Sequence, residues 1–175
     1  MHSIEIVLDE DIDRLVRAQW HELALAGLPS QARHTGESNR PHITLALADA
    51  VSAEVDRRLL NVAAGLPVPV TLGGLLIFGG RRFLLARLVV PSVALLDLQR
   101  SVVKSLDEPV DPQHTFGPGR WTPHVTLARR LTADQVGAAL TVLGAMPTLT
   151  GQLVLARRWD ITAKQEAWLS ALDGP

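Results

Sequence analysis

Cysteine and tyrosine are both absent from this 175-residue chain, and phenylalanine occurs only three times. Without cysteine there is no disulfide framework and no thiolate zinc site, and a reducing compartment is the natural expectation. Four tryptophans are the main aromatic material, which limits stacking on nucleic-acid bases. Neither sign of charge dominates: 17 Lys and Arg stand against 18 Asp and Glu. That balance excludes a protein built to coat long nucleic acid, while leaving room for a local basic pocket. No apolar run approaches the ~18 residues of a membrane span, and Met1 to Ile6 lacks the basic and apolar regions of a secretory leader. The expectation is a cytoplasmic protein, monomeric and without membrane attachment.

What the chain has is material to bury, since 47% of its residues are hydrophobic. Ile4 to Leu8 alternates as a strand, and Ile12, Leu15, Val16, Gln19, Trp20 and Leu23 follow helical spacing up to Gly27 and Pro29. A polar loop covers 29–41, and a strand follows from Ile43 to Ala48. Ser52 opens a helix through Val62, and strands cover 68–78 and 82–90. A helix over 93–106 and a long loop over 107–120 come next. Thr132 and Gln135 have the spacing of a capping box for a helix to Leu143. A strand then covers 149–159, and 164–172 forms either a strand or a helix. Gly73-Gly74 reads as a bulge and Gly79-Gly80 as a hairpin turn.

Directly connected strands interspersed with helices predict an α+β fold with antiparallel sheets. The order of elements in the second half repeats the first, with the 82–90 strand matched to 164–172. The whole chain, 1–175, is therefore expected to form one two-lobed domain with an internal duplication.

The repeat is sharpest at one short pattern. Arg40-Pro41-His42-Ile43-Thr44-Leu45-Ala46 returns as Thr122-Pro123-His124-Val125-Thr126-Leu127-Ala128, 82 residues later (124 − 42). On a strand, residues i and i+2 share a face, so His42, Thr44, Ala46 and Ala48 face one way and Ile43, Leu45 and Leu47 the other. His124, Thr126 and Ala128 do likewise, and on the same parity Arg130 joins them while Arg129 points away. Imidazole titrates near neutrality, so one ring can take a proton from water while the other gives one to a departing oxygen. Threonine hydroxyls can bind the non-bridging oxygens of a phosphodiester as charge builds there. The chemistry calls for no metal or other cofactor, and a zinc site lacks a third ligand.

With Trp121 and Arg129 included, these motifs resemble those of the two-histidine phosphoesterase superfamily, in particular the bacterial 2′-5′ RNA ligase / RNA 2′,3′-cyclic phosphodiesterase family. Motif spacing, length and element order extend the resemblance to effectively the whole chain. The resemblance implies a bilobal fold with a pseudo-twofold axis, two antiparallel sheets forming a central cleft and helices packed outside. It implies a phosphodiesterase that hydrolyses 2′,3′-cyclic phosphate to a 2′-phosphate, with His42, Thr44, His124 and Thr126 as the catalytic quartet. His42 would protonate the leaving oxygen and His124 would activate water. Many relatives have an aromatic residue after the first motif, where this chain has Ala46-Leu47-Ala48. The expected substrate is accordingly an RNA end or a small cyclic nucleotide. A module that only binds such ligands, or an RNA ligase, shares every residue named so far.

Arg40, Arg120 and Arg130 flank the motifs as candidates for holding substrate phosphate, and Trp121 could stack on a base. His34 and His114 lie in the two long loops, whereas His2, His21 and Arg81-Arg82 read as surface groups.

Overall fold

The computed structural model describes residues 1–110, 115–117 and 119–170. In chain order the elements are β1 (His2–Leu8), α1 (Glu10–Leu25), β2 (His42–Ala48), α2 (Ala53–Ala63), β3 (Val68–Phe78), β4 (Phe83–Val89), α3 (Val93–Ser105), β5 (Pro109–Val110), β6 (His124–Leu131), α4 (Ala133–Leu143), β7 (Leu149–Asp160) and β8 (Gln165–Trp168). Each helix starts at an oxygen-bearing side chain that accepts a backbone N–H, namely Asp9, Ser52, Ser92 and Thr132. Such caps are each worth about 1 kcal/mol. The predicted capping box is present: Thr132 and Gln135 exchange side-chain-to-backbone bonds at 2.9 and 3.2 Å. Helix α1 ends where Gly27 takes φ 74° and Leu28 N–H returns to the Leu23 carbonyl, a conformation that glycine adopts without penalty.

Every strand pairing is antiparallel, and the order across the sheet is β5-β2-β1-β7-β3-β4-β6, with β8 added beside β7. The expected α+β antiparallel architecture is therefore present. Its two lobe sheets are continuous, hydrogen-bonded through β3 and β7 over Val68–Leu72 and Leu149–Leu153.

Apart from β5, the order reads as a palindrome about that β3–β7 seam, β2-β1-β7 on one side and β3-β4-β6 on the other. One correspondence differs from the sequence expectation. Strand β4 matches β1, not the C-terminal strand, because β4 pairs with β6 as β1 pairs with β2. Val7 lies opposite His42, and Leu88 lies opposite His124.

The helices cross between halves. Helix α1 packs against β6 and α4, while α3 packs against β2 and α2, burying Ile12, Val16, Trp20 and Leu23 on one side and Leu95, Gln99 and Val102 on the other. The aliphatic residues of the motif strands, Ile43, Leu45, Val125 and Leu127, are fully buried in the same core. At about 25 cal/mol per Å2 of apolar surface removed from water, this helix-facing layer is the main adhesive of the fold.

Gly73-Gly74 does form a bulge, since Leu72 and Leu75 lie opposite Val89 and Arg87, and the β3–β4 turn contains Gly79-Gly80. The second long loop is not wholly irregular: β5 within it pairs with Leu47 and Ala48 at the edge of β2. Gln165–Trp168 is a strand rather than a helix. His114 and the end of the expected 164–172 element lie outside the described residues.

Candidate active site

The two motif strands begin at their histidines, and both rings line one cavity of about 580 Å3. His42 Nδ1 stands 2.8 Å from the carbonyl oxygen of Arg40, and His124 Nδ1 stands 2.8 Å from that of Thr122. A carbonyl can only accept, so Nδ1 carries the hydrogen in both rings. Nε2 is then the nitrogen left for exchange with a bound molecule. It is a base when the ring is neutral and an acid when the ring is charged.

Thr44 lines this cavity. Thr126 is buried and does not itself line the cavity; its hydroxyl accepts from Nη2 of the cavity-lining Arg129 at 3.4 Å. Beyond the threonines simple alternation fails in the same way twice. Ile4 and Glu5 lie opposite Ala46 and Thr44; Leu85 and Ala86 lie opposite Ala128 and Thr126. Leu45 and Leu127 are thus extra residues, and a bulge of this kind inverts the facing of everything after it. Ala46, Ala48 and Ala128 turn into the core, whereas Leu47 and Arg129 turn into the cavity. The expected facing of the alanines, and of Arg130 in place of Arg129, is corrected on that ground. Arg130 itself takes φ 62° at a second irregularity and is exposed.

A bulge also takes backbone carbonyls out of the ladder, and buried carbonyls need donors. Trp121 Nε1 donates to the Thr44 carbonyl at 3.1 Å, and Trp20 Nε1 donates to that of Thr126 at 2.9 Å. Gln99 Nε2 adds a bond to the Leu45 carbonyl at 3.3 Å. Trp121 therefore both lines the cavity and holds the threonine strand in place.

The remaining predicted residues are dispersed. Arg40 lies on the far side of His42, its guanidinium carbon 4.9 Å from the Trp168 ring centre. It lines a second cavity of about 750 Å3 with His34, Lys164 and loop residues of 34–39. The two cavities share Glu5, His42, Trp159 and Ile161, so they form one groove with His42 at the divide. Arg120 is exposed and lines neither cavity. His21, Arg81 and Arg82 are exposed, while His2 is partly covered, 3.8 Å from Asp160.

The two halves of the main cavity are built on equivalent sheet positions but carry different chemistry. Glu5 and Ala86 each lie opposite a motif threonine. Under the same correspondence Ser3 matches Leu84 and Trp159 matches Phe78, all four lining the cavity. On the His124 side the Phe78 ring centre lies 4.7 Å from that of the imidazole, and the Arg129 side chain also lines the cavity. Burial pushes His124 below the ordinary imidazole value; its bond to Thr122 opposes this, and the charges of Arg129 and His42 add to it. The His42 half is polar: Glu5 Oε1 lies 3.6 Å from His42 Nε2.

Sequence reasoning missed Glu5, Trp159 and Phe78. Glu5 alternates with Ile4 and Ile6, which reads as a solvent-facing position. No local pattern reveals that strands on both sides cover it. Among the described residues no group of three or more His, Asp or Glu is placed to hold a metal ion, and no helix is long and apolar enough to cross a membrane.

Paired histidines on pseudo-symmetric antiparallel strands, facing one cavity, define the two-histidine phosphoesterase class. Over residues 12–162 the sequence matches the 2′-5′ RNA ligase superfamily, and the chain belongs to it. No curated protein matches the sequence. Similar solved structures include Escherichia coli LigT complexed with 3′-AMP, at 18% identity and TM-score 0.51, covering 95% of this chain and 92% of that one. Kluyveromyces marxianus Usb1 with uridine monophosphate is similar at 15% identity and TM-score 0.54, with 96% and 97% covered. A protein described as a phosphoesterase has 17% identity and TM-score 0.51, with 95% and 92% covered. At such identities the likeness is one of fold.

Proposed function

We propose that this protein hydrolyses 2′,3′-cyclic phosphodiesters, on RNA ends or small cyclic nucleotides, by acid–base catalysis between His124 and His42 and without a metal ion. The observation that carries this reading is the shared cavity. Two imidazoles line it, and each has Nδ1 fixed on a backbone carbonyl, leaving Nε2 for proton transfer. Binding alone has no need of two such groups. The nucleotides held by LigT and Usb1 support a ligand of this class.

In the proposed reaction, neutral His124 Nε2 takes a proton from water as the water oxygen bonds to phosphorus. The bond from phosphorus to one ribose oxygen breaks, and protonated His42 Nε2 delivers its proton to that oxygen. The product is a phosphomonoester next to a free hydroxyl, and the histidines exchange protons with solvent to reset. Thr44, Thr126 and the guanidinium of Arg129 supply hydrogen bonds to the non-bridging oxygens. The asymmetry of the cavity supports the direction. His124 is the histidine whose proton affinity burial lowers, and His42 is the one facing a carboxylate.

The test is incubation with a panel of 2′,3′-cyclic nucleotides and cyclic-phosphate-ended oligonucleotides in EDTA, with products identified by mass spectrometry. A phosphomonoester product is expected. Joined ends would establish a ligase, and calorimetric binding without turnover would establish a binding module.

A further inference from the structure

Glu5 is almost wholly buried, its side chain 5% exposed, and its two oxygens are divided between two tasks. Oε2 accepts from Arg157 Nε at 2.9 Å and lies 2.8 Å from Nη2, a forked ion pair. Oε1 accepts from the Ser3 hydroxyl at 2.6 Å and faces His42 Nε2 at 3.6 Å. Arg157 does not depend on Glu5 alone, since its Nη1 also donates to Glu166 and to the Ser38 carbonyl. Nor does the sheet require a carboxylate here. Ala86 takes the same place opposite Thr126 in the other half, with the same bulge beside it.

A buried carboxylate with one oxygen clamped by Arg157 and the other directed at a reactive nitrogen calls for a functional explanation. We propose that Glu5 is a positioning residue, clamped by Arg157, that sets a carboxylate oxygen beside His42 Nε2 and so fixes His42 as the proton donor in the reaction. This inference rests on the acid–base reading above. The pseudo-symmetric frame offers two interchangeable histidines. Glu5 on one side and Ala86, Leu84 and Phe78 on the other make them unequal.

Other charges also face His42. From β6 come His124 and Arg129; behind Glu5 stand Arg157 of β7 and Glu166 of β8; across the second cavity are His34, Glu37, Arg40 and Lys164. Among the described residues, Glu5 is the carboxylate that approaches the imidazole directly.

The experiment compares pH profiles of kcat/KM for a 2′,3′-cyclic mononucleotide in the wild-type protein, Glu5→Gln and Glu5→Asp. In Glu5→Gln the basic limb, where the donor loses its proton, is expected to move down by about one pH unit, with the acidic limb in place. Glu5→Asp is expected to restore the wild-type limb. A uniform fall in rate with both limbs unmoved would overturn the proposal, because a merely structural ion pair predicts that result. Histidine titration by NMR provides a readout independent of turnover and, in the wild-type protein, independent of whether Glu5→Gln folds. His124 should give up its proton before His42, and the interval should narrow in Glu5→Gln. The opposite order, or an interval unaffected by the substitution, refutes the role of Glu5. Absence of hydrolysis with the expected order would instead refute the acid–base function alone.

Discussion

Trp20, on the buried side of α1, donates its indole N–H to the carbonyl of Thr126, 106 residues further along the chain and 2.9 Å away. The bond joins the first helix to the second motif strand at the residue where that strand bulges. Replacing Trp20 with Phe removes the donor and leaves a buried carbonyl unsatisfied, which costs about 1–3 kcal/mol. Chemical denaturation should show a loss of that size, accompanied by reduced turnover because Thr126 is no longer held. Trp121→Phe, at the half-exposed counterpart on Thr44, should lose less stability.

Removing either imidazole should abolish most of the activity while leaving the fold intact. General acid–base groups contribute about 10²–10⁴-fold, so His42→Ala and His124→Ala are each expected to lower kcat by that order. Circular dichroism should be unchanged. Thr44→Val and Thr126→Val should have milder effects, read from steady-state kinetics.

Acid should protonate His124 later than it would an ordinary imidazole. Burial lowers its proton affinity from the usual 6.5, so it stays a neutral base to lower pH. The acidic limb of the kcat/KM profile should lie below that value. The same shift has a stability consequence. The unfolded chain binds this proton more readily than the native one, so stability is retained above about pH 6.5 and declines as pH falls below it. His124→Gln should flatten that decline in denaturation midpoints measured against pH.

Two adjacent arginines offer a test of the bulge. Arg129 lines the cavity and Arg130 does not. Hydrogen bonds to charged groups are worth about 1.5–3 kcal/mol, so Arg129→Gln should lower kcat/KM by roughly one to two orders of magnitude. Arg130→Gln should stay near wild type. Equal losses in the two would contradict the local strand geometry.

Features governed by neighbours in the chain were legible in the sequence. The Thr132–Gln135 capping box, the Gly73-Gly74 bulge and the Gly79-Gly80 turn are local chemistry, and each is where the pattern places it. The motif histidines and Thr44 share a cavity as expected, because two residues of alternation suffice to align them. Alternation then breaks at Leu45 and Leu127. An extra residue in a strand leaves no compositional trace, so Leu47 and Arg129 were assigned to the wrong face. The Glu5–Arg157 pair spans 152 residues of sequence, and nothing in either strand announces the other. Matching β4 to β1 needed hydrogen-bond register, which element order alone does not contain.

The β3–β7 seam bears on how the protein can respond to its ligand. Each neighbouring pair of strands on the path from β2 to β6 through β1, β7, β3 and β4 is hydrogen-bonded, bulges included. The span between proton donor and proton acceptor is thus set by a ladder, like rungs of fixed width, and not by a hinge. Damage to the outer helices should therefore lower the melting temperature well before it alters the reach from one imidazole to the other.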